Sequence, residues 1–381
     1  MQSNKGQPHG MRIVSDQADP EGVGQASGTM PASDPGAMAA VPGNVSTLPG
    51  EPGQAGTAAP AAGLTDVAEP ASATAGAVAA APADDGVDDR VQDEELADDP
   101  APVLTTPTLG EVLLAIEELW PSSLAESWDA VGPVVGRPER PVRRIMFAVD
   151  PTLEVIADAV SRGTDLLVTH HPLLLKSVNS VAATGFKGEA VHLLIESGCA
   201  LVTAHTNADS ALGGVSDVLA DILGVTDTKP LAPSSAGLPE EGIGRVGMLP
   251  EPMLLQEFAS RVFSALPSVA GGVRVAGERA GIVQKVAVCG GAGDSLFDAV
   301  RDSEADVYVT ADLRHHPASE AREASLNGKP YLIDVSHFAS EWLWLPSAAD
   351  ALVNVLHDLG HSVEAEVSKI NSDPWDFILT P

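Results

Sequence analysis

Cysteine, aromatic residues and positive charge are all scarce in this 381-residue chain. Two cysteines cannot staple a disulfide scaffold. Cys199 and Cys289 each sit in an apolar run that reads as a buried strand, so a reducing cytoplasm is the expected compartment. Lys and Arg number 21 against 53 Asp and Glu, a formal charge of −32. That balance argues against nucleic acid and against an anionic membrane surface as partners, since both need a basic face. No apolar run is long enough to span a bilayer. Met1–Gly10 is polar and lacks the apolar centre of a secretory signal.

The shortage of aromatics is local. Residues 1–105 contain no Phe, Trp or Tyr, and they carry 16 acids against 3 bases. They are rich in Ala, Pro and Gly and show no apolar period. Such a segment cannot bury enough surface to offset its chain entropy, so a disordered acidic tail is expected over 1–105. The dense run Asp84–Asp99 reads as solvated linker rather than as a docking tail. The folded part is expected over 106–381, as one large or two small domains.

From residue 106 onward, helical and strand patterns alternate. Thr108 and Glu111 have the spacing of a capping box at the start of a helix through Leu113, Ile116 and Leu119. Arg144–Val149, Asp165–Thr169 and Cys199–Ala204 read as strands. The segments from Asp150 to Gly163 and from Gly188 to Ser197 read as the helices between them. This is the grammar of crossover units, and it predicts an α/β fold with parallel or mixed sheets. The pattern then recurs. Val286–Cys289 reads as a strand, Asp306-Val-Tyr-Val-Thr310 matches Asp165-Leu-Leu-Val-Thr169, and Tyr331–Val335 ends at Ser336-His337 as the earlier strand ends at Ala204-His205. Two similar αβ lobes facing each other are therefore expected. Lobe 1 is set at about 106–225, a connecting segment at 226–280 with a helix near Met253–Ala265, and lobe 2 at about 281–381.

Ligands in open α/β sheets gather beyond the carboxyl ends of strands. Three strands here end in candidate metal ligands: His170-His171, His205 with Asp209, and His337 with Glu341. Adjacent side chains on an extended chain point apart, so His170 and His171 suit two ions better than one. His337 and Glu341 share a helix face at i, i+4. A strand-end histidine alone is ordinarily a surface or satisfied core residue. Three such segments converging point instead to a metal centre, and imidazole suits zinc, iron, manganese or nickel better than magnesium. His192, His357 and His361 are expected to be packed, exposed or helix-terminal.

The segments Ala125-Glu-Ser-Trp-Asp-Ala-Val-Gly132, Thr169-His-His-Pro172, His205-Thr-Asn-Ala-Asp209, Val288-Cys-Gly-Gly-Ala-Gly293 and His337-Phe-Ala-Ser-Glu341 resemble the GTP cyclohydrolase 1 type 2 homolog family. It is also known as the NIF-three-like family of dinuclear-metal hexamers. The resemblance runs from about residue 107 to the C-terminus. It implies two α/β lobes across a dinuclear site, two divalent cations per subunit (Zn, Fe, Mn or Ni) and a toroidal homohexamer. The implied ligands are His170, His171, Asp209, His337 and Glu341, with Glu341 shared between the ions and central to any catalysis. His205 matches a position near the site, as ligand or as a side chain orienting Asp209. Departures from the family pattern are Ala130 and Ala311, where the family commonly has Asn and Gly, and Ser336, where it often has Gly.

Gly290-Gly-Ala-Gly293 reads as a tight strand-to-helix turn, with a phosphate cradle as the alternative; it lacks the Lys-Ser/Thr of a P-loop. Arg314 and His316 could contact an anionic substrate or lie in a solvent-facing loop. Trp128 and Asp129 are expected to pack against the site entrance, with Trp128 in the core rather than stacking on a cofactor, and Trp342 and Trp344 are expected to lock the Glu341 helix by packing. No Ser or Cys nucleophile stands beside a base, so water activated by metal is the expected attacker. The expected activity is hydrolysis of a nucleotide or related phosphorylated heterocycle. The alternative is a non-catalytic metal chaperone or hexameric scaffold carrying the same ligands.

Overall fold

The computed structural model describes residues 103–325 and 328–380. The acidic tail expected over 1–105 lies outside the described residues except for Val103–Thr105. Thr105 is already fixed there: its N–H donates to Gly360 O at 3.0 Å.

Thr108 and Glu111 form the expected capping box at the start of α1 (Leu109–Leu119). After it come β1 (Gly132–Val135), β2 (Arg144–Ala148), α2 (Leu153–Ser161), β3 (Leu166–Thr169), α3 (Phe186–Ser197) and β4 (Ala200–Thr203). The helix expected from Asp150 starts later because Thr152 is its cap, with its side chain accepting from Val155 N–H. The parallel ladder β2–β3–β4 places Leu166 between Ile145 and Ala200. Strands β3 and β4 are buried along their whole length. That explains their unbroken apolar runs: a parallel sheet covered on both faces leaves no polar side. One face carries α1 through Val112 and Ile116; the other carries α2 and α3 through Ile156 and Leu194.

Two helices, α4 (Thr206–Ser210) and α5 (Val215–Ile222), lead out of the first sheet. The segment expected to be a connector then builds half of the second sheet. It supplies β5 (Thr226–Pro233), β6 (Gly242–Leu254), α6 (Leu255–Ala265) and β7 (Arg274–Ala276). Gly247, Pro250 and Pro252 break the alternation that would have revealed β6 in the sequence. The repeat follows as β8 (Ile282–Ala292), α7 (Phe297–Asp302), β9 (Val307–Ala311), α8 (His315–Glu323) and β10 (Tyr331–Val335). The second sheet runs β5-β6-β8-β9-β10-β7, parallel within β8–β9–β10 and antiparallel at its flanks. Register supports the duplication. Val307 lies between Val286 and Tyr331 as Leu166 lies between Ile145 and Ala200.

The chain then returns. α9 (His337–Trp342) and α10 (Trp344–Asp358) follow β10, and β11 (Glu364–Val367) pairs in parallel with β2. The first sheet is thus β1-β4-β3-β2-β11. The stretch 281–381 is therefore not all one lobe. Its last helix buries Trp344, Leu345 and Leu352 against Phe147 and Trp120 of the first. Cys199 and Cys289 are both buried and unpaired. Burial pushes each thiol up to about 12, which keeps them inert.

Candidate metal centre

The carboxyl ends of the two parallel ladders bring the expected residues together. His170 and His171 follow β3. His205 caps α4, which carries Asp209 one turn on. Ser336 caps α9, its hydroxyl accepting from Ala339 N–H, and this sets His337 and Glu341 on one helix face. Glu341 is buried in the middle. Its carboxylate lies 3.5 Å from His170 Nε2, 3.1 Å from His171 Nε2 and 2.9 Å from His337 Nε2. Asp209 Oδ1 stands 3.7 Å from His170 Nε2.

Two overlapping triads have ligand atoms within 4.8 Å of one another: His170, His171 and His205, and His171, His337 and Glu341. His171 belongs to both. His205, expected as ligand or orienting group, stands with the ligands in the first triad.

All four imidazoles are held the same way. Nδ1 of His170 donates to Ala204 O at 2.9 Å. Nδ1 of His171 donates to Asp150 at 2.7 Å, that of His205 to Asp129 at 2.8 Å, and that of His337 to Asp312 at 2.7 Å. Each partner atom is an acceptor, so each Nδ1 carries its ring's proton. In the neutral ring Nε2 is then left with a lone pair. Carbonyls and carboxylates behind histidines are the usual support of metal ligands.

Lone pairs then face each other at close range. His171 Nε2 and His337 Nε2 are 3.2 Å apart. His170 Nε2, Asp209 Oδ1 and Glu341 Oε2 are buried without a hydrogen-bond partner. Acceptors at such distances repel unless positive charge lies among them. Protons can supply it. Burial is the largest single effect and lowers the imidazole pKa values, but the Glu341 charge together with the hydrogen bonds to Asp150 or Asp312 and to Glu341 outweighs it and lifts His171 to about 10 and His337 to about 11. Glu341 in turn is held well below the usual carboxylate range by His171, His337 and His170, against the effect of its burial. Asp209 moves the other way, because burial raises it and the neighbouring Glu341 adds to the rise. A divalent cation would supply the same charge and replace those protons. The donor set of imidazoles and carboxylates fits zinc, iron, manganese or nickel.

Several residues act behind the ligands, and the sequence did not mark their role. Asp129 accepts from His205, from Thr206 N–H at 3.1 Å and from the Thr206 hydroxyl. Those partners outweigh its burial and hold it below the usual carboxylate range. Asp150 and Asp312 are isolated acids just beyond strand ends, with no spacing that ties them to a histidine. Gly291, at φ +65°, is required by close approach: a Cβ there would lie 2.3 Å from Glu341 Oε1. Its N–H donates to Ser340 Oγ at 2.9 Å. Gly290–Ala292 is therefore the end of β8 passing beside Glu341 rather than the expected tight turn, and the Gly291 amide is already committed rather than open to phosphate.

One other expectation is corrected. Trp128 is not core; it is 59% exposed, its ring centroid 5.9 Å from that of His205 in a T-shaped arrangement. Arg314 pairs with Asp294 at 2.5 Å and His316 is exposed on α8, so neither side chain meets the cluster. Of the two tryptophans beside Glu341, Trp344 is fully buried, edge-on to His170 at 5.6 Å.

A cavity of about 770 Å³ adjoins His171 and His337, and its wall includes Asp150, Asp312, Arg274 and Trp375. No described helix is long and apolar enough to cross a membrane.

Known proteins share this fold. The family model Duf34/NIF3 (NGG1p interacting factor 3) matches residues 107–374. A Streptomyces coelicolor protein named GTP cyclohydrolase 1 type 2 homolog is 49% identical over 271 residues, covering 71% of this chain and 94% of that one. A solved Staphylococcus aureus hypothetical protein superposes with a TM-score of 0.65 at 28% identity, over 71% of this chain and 100% of its own. A Bacillus cereus protein related to NIF3 gives 0.66 at 24% identity, over 72% and 100%, and so shows the fold alone.

Proposed function

The chain belongs to the Duf34/NIF3 family, and on that footing we propose that it is a metal-dependent hydrolase acting on a nucleotide or related phosphorylated heterocycle. The name of its Streptomyces relative favours that substrate class. The observation that carries the reading is the set of Nε2 lone pairs and unpartnered carboxylate oxygens facing one buried point. His170, His171, Asp209, His337 and Glu341 would hold two divalent cations, with Glu341 shared and His205 beside the first. Such a pair, when bound, supplies Lewis acidity and lowers the pKa of water.

The chain's own groups do the rest. Asp150, Asp312, Asp129 and the Ala204 carbonyl keep each imidazole in its Nδ1–H form and fix its plane. Trp344, edge-on to the buried His170, shields that side from bulk water. The cavity on the other side admits substrate between Trp375 and the two exposed-edge histidines, His171 and His337. A homohexamer is part of the proposal, following the family resemblance.

Elemental analysis beside a nucleotide hydrolysis screen tests this. Two metals per chain and a turnover abolished in Glu341→Gln are expected; equal turnover by metal-stripped protein would refute it.

One observation favours a non-catalytic metal carrier instead. Arg274 is the one Lys or Arg among the described residues lining the cavity, and it is bound to Asp334. Metal exchange without turnover across the screen would decide for that reading.

A further inference from the structure

After β11 the chain does not leave the site. Ser368 N–H donates to Phe147 O at 2.8 Å, and Trp342 Nε1 donates to Ser368 O at 3.3 Å. Ile370 packs on the first sheet's core. The segment 372–375 then lines the cavity, with Asp373 reaching Ser336 at the end of β10. It folds on itself there: Asp373 N–H donates to Asn371 Oδ1 and Trp375 N–H donates to Asp373 Oδ1, each at 3.0 Å.

Two neighbouring side chains of this strap reach opposite halves of the centre. Ser372 Oγ donates to Asp150 Oδ2 at 2.6 Å, while Asp150 Oδ1 holds His171. The Asp373 carboxylate accepts from the Ser336 hydroxyl. A hydroxyl has one proton to give. With that proton directed at Asp373, the Ser336 lone pairs are turned to the Ala339 N–H, and the cap of α9 is set. That helix carries His337 and Glu341. One oxygen of Asp373 is used by the strap's own turn and the other by Ser336, so the contact is not a loose surface pairing.

We propose that Ser372 and Asp373 are positioning residues, a clasp by which the C-terminal strap aligns the imidazole of the first sheet and the His–Glu pair of the second on one metal centre. The inference rests on the metal-binding reading of that cluster and adds which residues set its geometry. Neither residue touches a ligand. Ser372 acts through Asp150 on His171, and Asp373 acts through Ser336 on α9. A rigid shell of this kind governs how tightly a metal is held as much as the ligands do.

The test uses the full chain and measures zinc affinity by competition with a chromophoric chelator. Ser372→Ala and Asp373→Ala should each weaken binding about tenfold, and the double variant about 100-fold. Ser372→Thr, which keeps the hydroxyl, should stay within about threefold of wild type, and Asp373→Asn, whose single acceptor oxygen can serve Ser336 only by giving up the Trp375 N–H, should fall between wild type and Asp373→Ala. The melting temperature of metal-stripped protein should shift by less than about 3 °C in all four single variants, which a merely structural role would not allow. Unchanged zinc affinity in the double variant, with wild type binding normally, would overturn the clasp and leave the metal centre standing. Equal loss in Ala and conservative variants would also overturn it. Wild type that binds no zinc, iron, manganese or nickel would remove the metal centre itself, and the clasp with it.

Discussion

Asp165 in the first sheet and Asp306 in the second occupy the same place in the same way. Each accepts two backbone N–H groups from the strand before it: Arg143 and Arg144 in one case, Gln284 and Lys285 in the other. Four residues on, Thr169 and Thr310 end matching strands. One residue later the likeness stops. His170 and His171 follow β3, whereas Ala311 ends β9 and Asp312 follows it. The first sheet therefore offers ligands from a strand end, and the second offers an acid that holds a ligand from elsewhere, His337. Beyond the next strand both use an i, i+4 pair, His205 with Asp209 and His337 with Glu341, but register sets the pairs one residue apart. Thr203 is paired to Thr169 and Asp334 to Thr310, so His205 corresponds to Ser336 rather than to His337. A duplicated scaffold thus carries two unlike half-sites, and only together do they surround one point.

The sharpest way to break this comparison is to remove the central carboxylate. Glu341→Gln should weaken divalent metal binding by roughly 10²–10³-fold, the cost of leaving buried partners without their charge. Asp209→Asn, from the other half, should cost less, because Asp209 faces one imidazole and Glu341 faces three. Metal titration of both variants checks the order; equal losses would mean the halves share the load evenly.

Asp150→Asn and Asp312→Asn should each lower metal affinity about tenfold, since each orients one imidazole from behind. If the half-sites are complementary, the two losses match within a factor of about three. The same titration reads this out.

Gly291→Ala has no counterpart in the first lobe. Its positive φ and the approach of Glu341 should cost about 1–3 kcal/mol of stability, seen as a lowered denaturant midpoint, and metal binding should fall with it.

Acidity separates the two kinds of carboxylate. The metal-free cluster gains stability from imidazoles whose folded pKa values are raised. That gain is complete below about 6.5 and is lost as pH rises through about 10 at His171 and about 11 at His337. Metal must displace those protons, so metal affinity should climb over the same rise in pH. Asp306 behaves oppositely. Lys329 and the two backbone amides outweigh its burial and lower it, so its contribution is present above about 3.9 and fades as pH falls through the lower folded value. Asp306→Ala and Asp165→Ala should each cost about 1–2 kcal/mol in urea melts, with the former slightly larger because Lys329 is also lost.

Much of this was legible in the residues. Parallel strands buried on both faces leave continuous apolar runs, so β2, β3, β4, β9 and β10 stood out. Chemistry at their carboxyl ends then pointed to His170, His171, Asp209, His337 and Glu341, which the structure brings together. The flanking strands β5, β6 and β7 did not stand out, because proline and glycine interrupt the period of the first two and β7 is only three residues long. The groups behind the ligands were hidden for another reason. Asp129, Asp150, Asp312 and Asp373 come from four separate loops, and no local spacing records a contact made across a folded interior. The assignment of 281–381 to one lobe failed likewise, since nothing in the sequence of α10 or β11 says which sheet will receive it.

That last pairing constrains how the molecule can assemble. Arg144 of β2 finds its neighbour at Glu364, 220 positions downstream. Closing so long a loop is slow, because the entropy of bringing distant segments together is lost before the contact rewards it. The earlier half must therefore wait, with one flank of its sheet unpaired, until nearly the whole of the later half has emerged and folded, which makes that open flank the place where a chaperone or a mispaired neighbour would intervene.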